Sequence, residues 1–222
     1  ESDAAEAPVA AIKGHEVGLG EALRSWRYWT IVLVALVASV GALALTTHFV
    51  PLVTAAGVSR IVAATAAGTI GIASASGRIL EGFLLDRFKG PAIGAISLML
   101  PTAACLLVLF VPPSTAWAVA VALVLGAAVG AEVNILAYLT SRYFGVGHYG
   151  VLFGIVYSMV IVGGGLGPLL GGMIYDATKS YDYLAWTVLP LCVLCAVLIL
   201  LMGPYPVAGD EVTEAPKEPA FT

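Results

Sequence analysis

Arg78 and Glu132 are two charges of opposite sign set deep inside apolar sequence. A guanidinium can hold a carboxylate by two parallel hydrogen bonds. A carboxyl group in low dielectric binds a proton unless a cation lies beside it. Charges of this kind cost ~2.5–3.5 kcal/mol at the centre of a membrane helix, so each needs a reason. His48 is either a proton carrier or an interface residue. Asn134, Tyr138 and Tyr157 either line a cavity or serve as packing and hydrogen-bonding residues. The chemistry this set suggests is anion binding and proton exchange. No metal cluster, phosphate loop or nucleophile with its base is legible, so no cofactor, no metal and no enzyme activity is expected. Cys192 and Cys195 form a C-x-x-C, but Leu and Val surround it, and a packing role fits that setting.

The elements that must position these residues follow from composition. The chain has 222 residues, 60% hydrophobic and 11% charged, where a soluble domain is nearer ~25% charged. Its net charge of −4 comes largely from acids at the two ends, and no basic patch suggests nucleic acid. The apolar blocks run to about 20 residues, enough to cross ~30 Å of hydrocarbon as a helix. They do not alternate as barrel strands would. Six spans are expected, at about residues 29–50, 61–80, 92–111, 117–138, 150–174 and 184–202. Pro101, Pro112, Pro113, Pro168 and Pro190 mark loops or kinks.

Lys and Arg set the orientation. Arg24, Arg27, Arg78, Arg87, Lys89 and Arg142 fall on one side, Arg60 and Lys179 on the other. Both termini are therefore expected in the cytoplasm, with the protein in a bacterial cytoplasmic (inner) membrane. Residues 1–18 read as a disordered cytoplasmic segment, 19–203 as the six-helix bundle, and 204–222 as a disordered acidic tail. No signal peptide is visible. Residues 19–29 read either as a surface helix, with Leu19, Leu23, Trp26 and Tyr28 on lipid, or as a simple start to the first span. Arg78 lies eight residues before Asp86, and Glu132 ten before Arg142. On helices running inward these offsets are about 12 and 15 Å, so the two charges share a depth. A charge pair between them is expected in the empty site.

The connection after the second span reads G-R-I-L-E-G-F-L-L-D-R-F-K-G over residues 77–90. It resembles the signature loop of the major facilitator superfamily, G-x-x-x-D-R-x-x-G, with Gly82, Asp86, Arg87 and Gly90 on the matching positions. Gly82 would let two helices approach closely. Residues 131–145 and 150–176 are similar to helices ten and eleven of the monocarboxylate and oxalate–formate branch. The H-F-V-P-L of residues 48–52 is similar to the end of that branch's seventh helix. Gly167, Pro168 and Gly171, with the other glycines of residues 163–172, read as conformational hardware.

The resemblance implies an all-α membrane protein of six transmembrane helices, built as two inverted three-helix repeats. That is half of a major facilitator fold, its C-terminal half. A G-x-x-x-D closes the second span at Gly82–Asp86 and the fifth at Gly172–Asp176, as inverted repeats allow. The implied partners are the lipid bilayer, a small organic anion and an N-terminal six-helix half, in the same or a separate chain. Arg78 matches the arginine with which the eighth helix of those carriers holds a carboxylate. Animal-type monocarboxylate carriers place an acidic residue one turn earlier, where this chain has Ser74. Oxalate carriers have a lysine in helix eleven, and residues 149–176 contain none. Without that lysine a dianion wanting two cations is less well served than a monoanion, unless the other half supplies charge. In this reading substrate competes with Glu132 for Arg78, and the released Glu132 takes a proton. The alternative is a self-contained six-helix channel or exporter acting as a homodimer.

Overall fold

A computed structural model describes residues 17–88 and 90–203. The segments expected to be disordered, 1–18 and 204–222, lie outside the described residues except for Val17 and Gly18, and Lys89 lies outside them too. The described residues form eight helices: α1 Leu19–Arg24, α2 Trp26–Thr47, α3 Phe49–Ala55, α4 Arg60–Arg87, α5 Gly90–Phe110, α6 Thr115–Phe144, α7 Tyr149–Thr178 and α8 Asp182–Leu201.

Local chemistry sets the ends. Ser114, just after Pro112–Pro113, opens α6 by accepting from the Trp117 amide at 3.1 Å. Gly145, at φ 77°, closes it. The first expected span is bent rather than continuous. Pro51 has no N–H for the Thr47 carbonyl, and the chain turns at His48 between α2 and α3. Pro101, Pro168 and Pro190 lie inside helices, so they are kink sites and not loop markers. Tyr28 departs from the surface-helix reading. Ser25 is extended and resets the helix phase, so Tyr28 belongs to α2 and is fully buried. Its hydroxyl donates to the Leu152 carbonyl at 3.0 Å. Trp26 and Trp29 remain exposed.

Five helices, α2, α5, α6, α7 and α8, are long and apolar enough to cross a membrane. The protein is an integral membrane protein. At 28 residues α4 has the length, but Arg60, Arg78, Glu81, Asp86, Arg87 and its many small residues lower its hydropathy.

The helices associate in pairs. α4 lies along α6, α2 along α7, and α5 along α8, while α6 and α2 meet at the centre. The first two pairs are parallel and nearly backbone to backbone. A Cβ on Gly126 would lie 2.5 Å from the Ile70 carbonyl oxygen, and one on Gly77 2.9 Å from Ala127 Cα. A Cβ on Gly163, Gly167 or Gly171 would lie 2.6–2.8 Å from atoms of α2 or His48. Lipid tails supply no hydrophobic drive between helices, so such close approach carries much of the association. Two apolar clusters fill the interior. One, around Tyr28, Leu136, Leu152 and Ile199, lies at the end of the bundle where residues 17 and 203 sit. The other, around Leu45, Phe49, Trp117 and Leu184, lies at the far end. Between them runs a thin layer holding Ser39, Thr102 and Glu132, all buried.

Gly167→Leu should push α7 off α2 and destabilise the fold by about 1–3 kcal/mol, the usual cost of overpacking. Gly165→Leu, where a Cβ meets nothing within 4 Å, should not. Thermal melts of the two variants in detergent check this; equal melting temperatures would contradict it.

Candidate functional site

Most of α4 and α7 is left uncovered. Ile72, Ile79, Leu80 and Phe83 on α4 are exposed, as are Ile161, Leu169 and Met173 on α7. Arg78 stands on this open side of α4, exposed, with no ion-pair partner among the described residues. The pairing of α4 with α6 fixes its level. Gly130 faces Ser74, and one turn on the Asn134 amide donates to the Arg78 carbonyl at 3.1 Å. Asn134 therefore lies beside the Arg78 backbone, a contact that does not involve the guanidinium.

Glu132 does not join them. It is 6% exposed and accepts a hydrogen bond from the Ser39 hydroxyl of α2. The expected Arg78–Glu132 charge pair is absent from this structure. Their depths match, but they point to different sides of the pair: Glu132 into the bundle, Arg78 out of it. The reason is angular. Asn134, two residues on from Glu132, faces α4, and two residues on a helix lie about 200° apart. Ser39 was not read as a site residue. Its only signal in the sequence is a hydroxyl in the middle of a long apolar run.

Tyr138 is half-buried beside Gly90, and the Arg142 guanidinium lies 5.1 Å from its ring centre. Tyr157 is 43% exposed on α7, at the end of an aromatic run with Tyr149 and Phe153. His48 occupies the bend between α2 and α3. Its Nε2 lies 3.0 Å from the Pro168 carbonyl, and its ring faces Tyr181. It thus ties the first span to the kinked part of α7, together with Gly167 and Gly171. Of the loop motif, Asp86 and Arg87 are exposed at the end of α4, with no ion pair between them. Gly82 makes no close approach within the chain: a Cβ there would meet nothing within 4 Å. Gly90 does, because a Cβ would collide with the Tyr138 ring.

A cleft of about 540 Å³ lies elsewhere. It opens at the far end between α3, the α5–α6 connection and the α7–α8 connection, lined by Trp117, Lys179 and Tyr181. None of the candidate residues lines it. Burial raises the Tyr181 hydroxyl pKa there, and Tyr175 and Asp176 add to the shift. Groups of three or more His, Cys, Asp or Glu able to hold a metal are absent among the described residues.

A family model described as Major Facilitator Superfamily matches residues 1–159. The chain belongs to that family. The match takes in α1 to α6, the 77–90 loop and the first part of α7. Comparison with curated proteins found no significant match. Facilitator proteins are secondary transporters and are generally not enzymes.

Ser39→Ala should destabilise this facilitator chain by about 1–3 kcal/mol, because a buried carboxyl group loses its donor. Glu132→Gln should cost less, since an amide still accepts from Ser39. Thermal unfolding in one detergent ranks the two; the reverse order would show that Ser39 does not sustain Glu132.

Proposed function

We propose that this chain is the C-terminal six-helix half of a secondary transporter of the monocarboxylate and oxalate–formate branch. It moves a small organic anion, a monocarboxylate, by alternating access with proton coupling or exchange. The observation that carries the reading is Arg78: an exposed guanidinium without a counter-charge, far from either end of α4, on the open side of a facilitator chain. Such a group is available to a substrate carboxylate, and bidentate pairing suits its geometry. Asn134, Tyr138 and Tyr157 are the proposed polar wall, and Glu132 the proton-holding group.

Helix pairing supports the two-repeat architecture. Exchanging α2–α3 with α6, α4 with α7 and α5 with α8 preserves the set of major contacts: α4 on α6 becomes α7 on α2, α5 on α6 becomes α8 on α2, and α5 on α8 and α2 on α6 map onto themselves. That is the pattern of two inverted three-helix units, with α4 as the sixth spanning helix. The uncovered sides of α4 and α7 are where a partner half would close the cavity. Both termini lie in the cytoplasm of a bacterial inner membrane in this reading.

The mechanism differs from direct competition for Arg78, since Ser39 holds Glu132. A serine hydroxyl bonds a carboxyl group in either protonation state, so Glu132 can exchange its proton without losing that contact. The test is uptake into vesicles by the chain joined to its partner half. Arg78→Lys should abolish saturable uptake. Glu132→Gln should retain exchange and lose accumulation driven by a pH gradient. Accumulation undiminished in Glu132→Gln would refute the proton role, and normal uptake in Arg78→Lys would refute the anion site. Saturable uptake by this chain alone would favour a homodimer instead.

A further inference from the structure

Arg78 and Glu132 do not meet, yet the described residues hold a second buried carboxyl group near Arg78. Glu81 follows Arg78 by three residues on α4 and is 3% exposed. Its Oε1 accepts from the Ser97 hydroxyl of α5 at 2.7 Å. Its Oε2 is buried with no hydrogen-bond partner. A buried carboxyl oxygen without a donor is costly when the group is ionised, and Glu81 has no ion-pair partner among the described residues.

Ser97 also faces the other way. It lines a small internal cavity with Glu132, Pro101, Leu98 and Ala128. The cavity measures about 10 Å³, close to the least that holds one water, which needs two to four polar partners. Two are at hand. Pro101 has no N–H, so the Ser97 carbonyl one turn earlier loses its helix donor. Ser39 takes only Oε1 of Glu132, leaving Oε2. The Ser97 hydroxyl oxygen, while donating to Glu81, can still accept.

We propose that Glu132, one water in this cavity, Ser97 and Glu81 form a hydrogen-bonded relay that passes a proton across the bundle. In the step, the O–H bond at Glu132 breaks and its proton joins the water. The water gives a different proton to the Ser97 oxygen, and the original Ser97 proton forms a new O–H bond at Glu81. Net, one proton moves from Glu132 to Glu81 and one negative charge moves back. Nothing is oxidised or reduced. The relay ends one turn from Arg78, so an anion at Arg78 and a proton entering at Glu132 can influence each other without contact between those two residues.

The surrounding titratable groups are few. Cys192 and Cys195 on α8 lie within electrostatic reach of Glu132. α2 contributes Ser39, and its own titratable residues, Arg27 and Tyr28, are about three turns away. α5 has no charged residue, and its Cys105 is two turns beyond Ser97. On α6, Tyr138 and Arg142 face each other toward its C-terminal end. On α4, Arg78, Asp86 and Arg87 are exposed.

The relay rests on the proposed role of Glu132 as a proton-holding group, and infrared spectroscopy tests it apart from transport. The full chain in lipid nanodiscs is titrated in light and heavy water, and the carboxyl C=O bands are followed. Glu132→Gln should remove one band and shift the band that Glu81→Gln removes. Ser97→Ala should abolish that mutual shift, and Ser97→Thr, which keeps the hydroxyl, should preserve it. If Glu132→Gln leaves the Glu81 band unmoved, or if Ser97→Ala leaves the mutual shift intact, the relay is overturned. Should either Ser97 variant misfold, the two near-isosteric Gln variants decide alone. Coupled bands in a protein whose transport ignores Glu132→Gln would sink the coupling role and keep the relay; uncoupled bands with altered transport would do the reverse.

Discussion

Close backbone contact between parallel helices governs the arrangement of this bundle. Gly126 and Gly130 let α6 settle against α4, and Gly163, Gly167 and Gly171 let α7 settle against α2. At such spacing there is little freedom to slide, because a carbonyl of one helix lies where a Cβ of the other would stand. The register of α6 on α4 puts Asn134 beside the Arg78 carbonyl. The register of α7 on α2 puts Pro168 beside His48. Placement of the polar residues is thus a by-product of where side chains are missing. Both contacts also use up one side of α4 and α7, which leaves their other sides bare.

The interior is layered along the bundle axis. Apolar clusters occupy the two ends, and the carboxyl of Glu132 lies in the thin region between them. That region is where desolvation is most costly for an ionised group. An arginine there would hold the carboxylate charged, while the serine actually present accepts either form. The choice of partner therefore makes the position compatible with a group that changes its charge.

Periodicity, length and proline placement made the helices legible, because long apolar runs leave the backbone no alternative in lipid. Depth was legible too: counting 1.5 Å per residue from Asp86 and Arg142 put Arg78 and Glu132 at one level, and the α4–α6 register agrees. Direction was not. A side chain's azimuth depends on which face of its helix meets a neighbour, and the glycines that decide this look alike in sequence. Gly82 reads as a contact position, yet a Cβ there would meet nothing within the chain, while the close approach falls at Gly126, which no motif marks. Arg78 and Glu81, three residues apart, differ by about 60° around α4, and that small angle separates exposed from buried. Ser39 and Ser97 escaped notice because a lone serine in an apolar helix most often bonds its own backbone, as Ser76 and Ser158 do here. The bend at His48 had its cause in plain view at Pro51.

That bend also bears on how firmly the outer piece of the first span is fastened. α3 is only seven residues long and is set off from α2 by the turn at His48. One imidazole nitrogen, 3.0 Å from the Pro168 carbonyl, clasps the corner to α7. A single neutral hydrogen bond is worth about 0.5–1.5 kcal/mol net. At 1.4 kcal/mol per factor of ten, undoing the clasp changes populations by roughly two- to tenfold. That bond is only part of the fastening: Phe49, Leu52 and Val53 of α3 are buried in the far-end apolar cluster, so a ligand that pulls on either helix must unpack them as well.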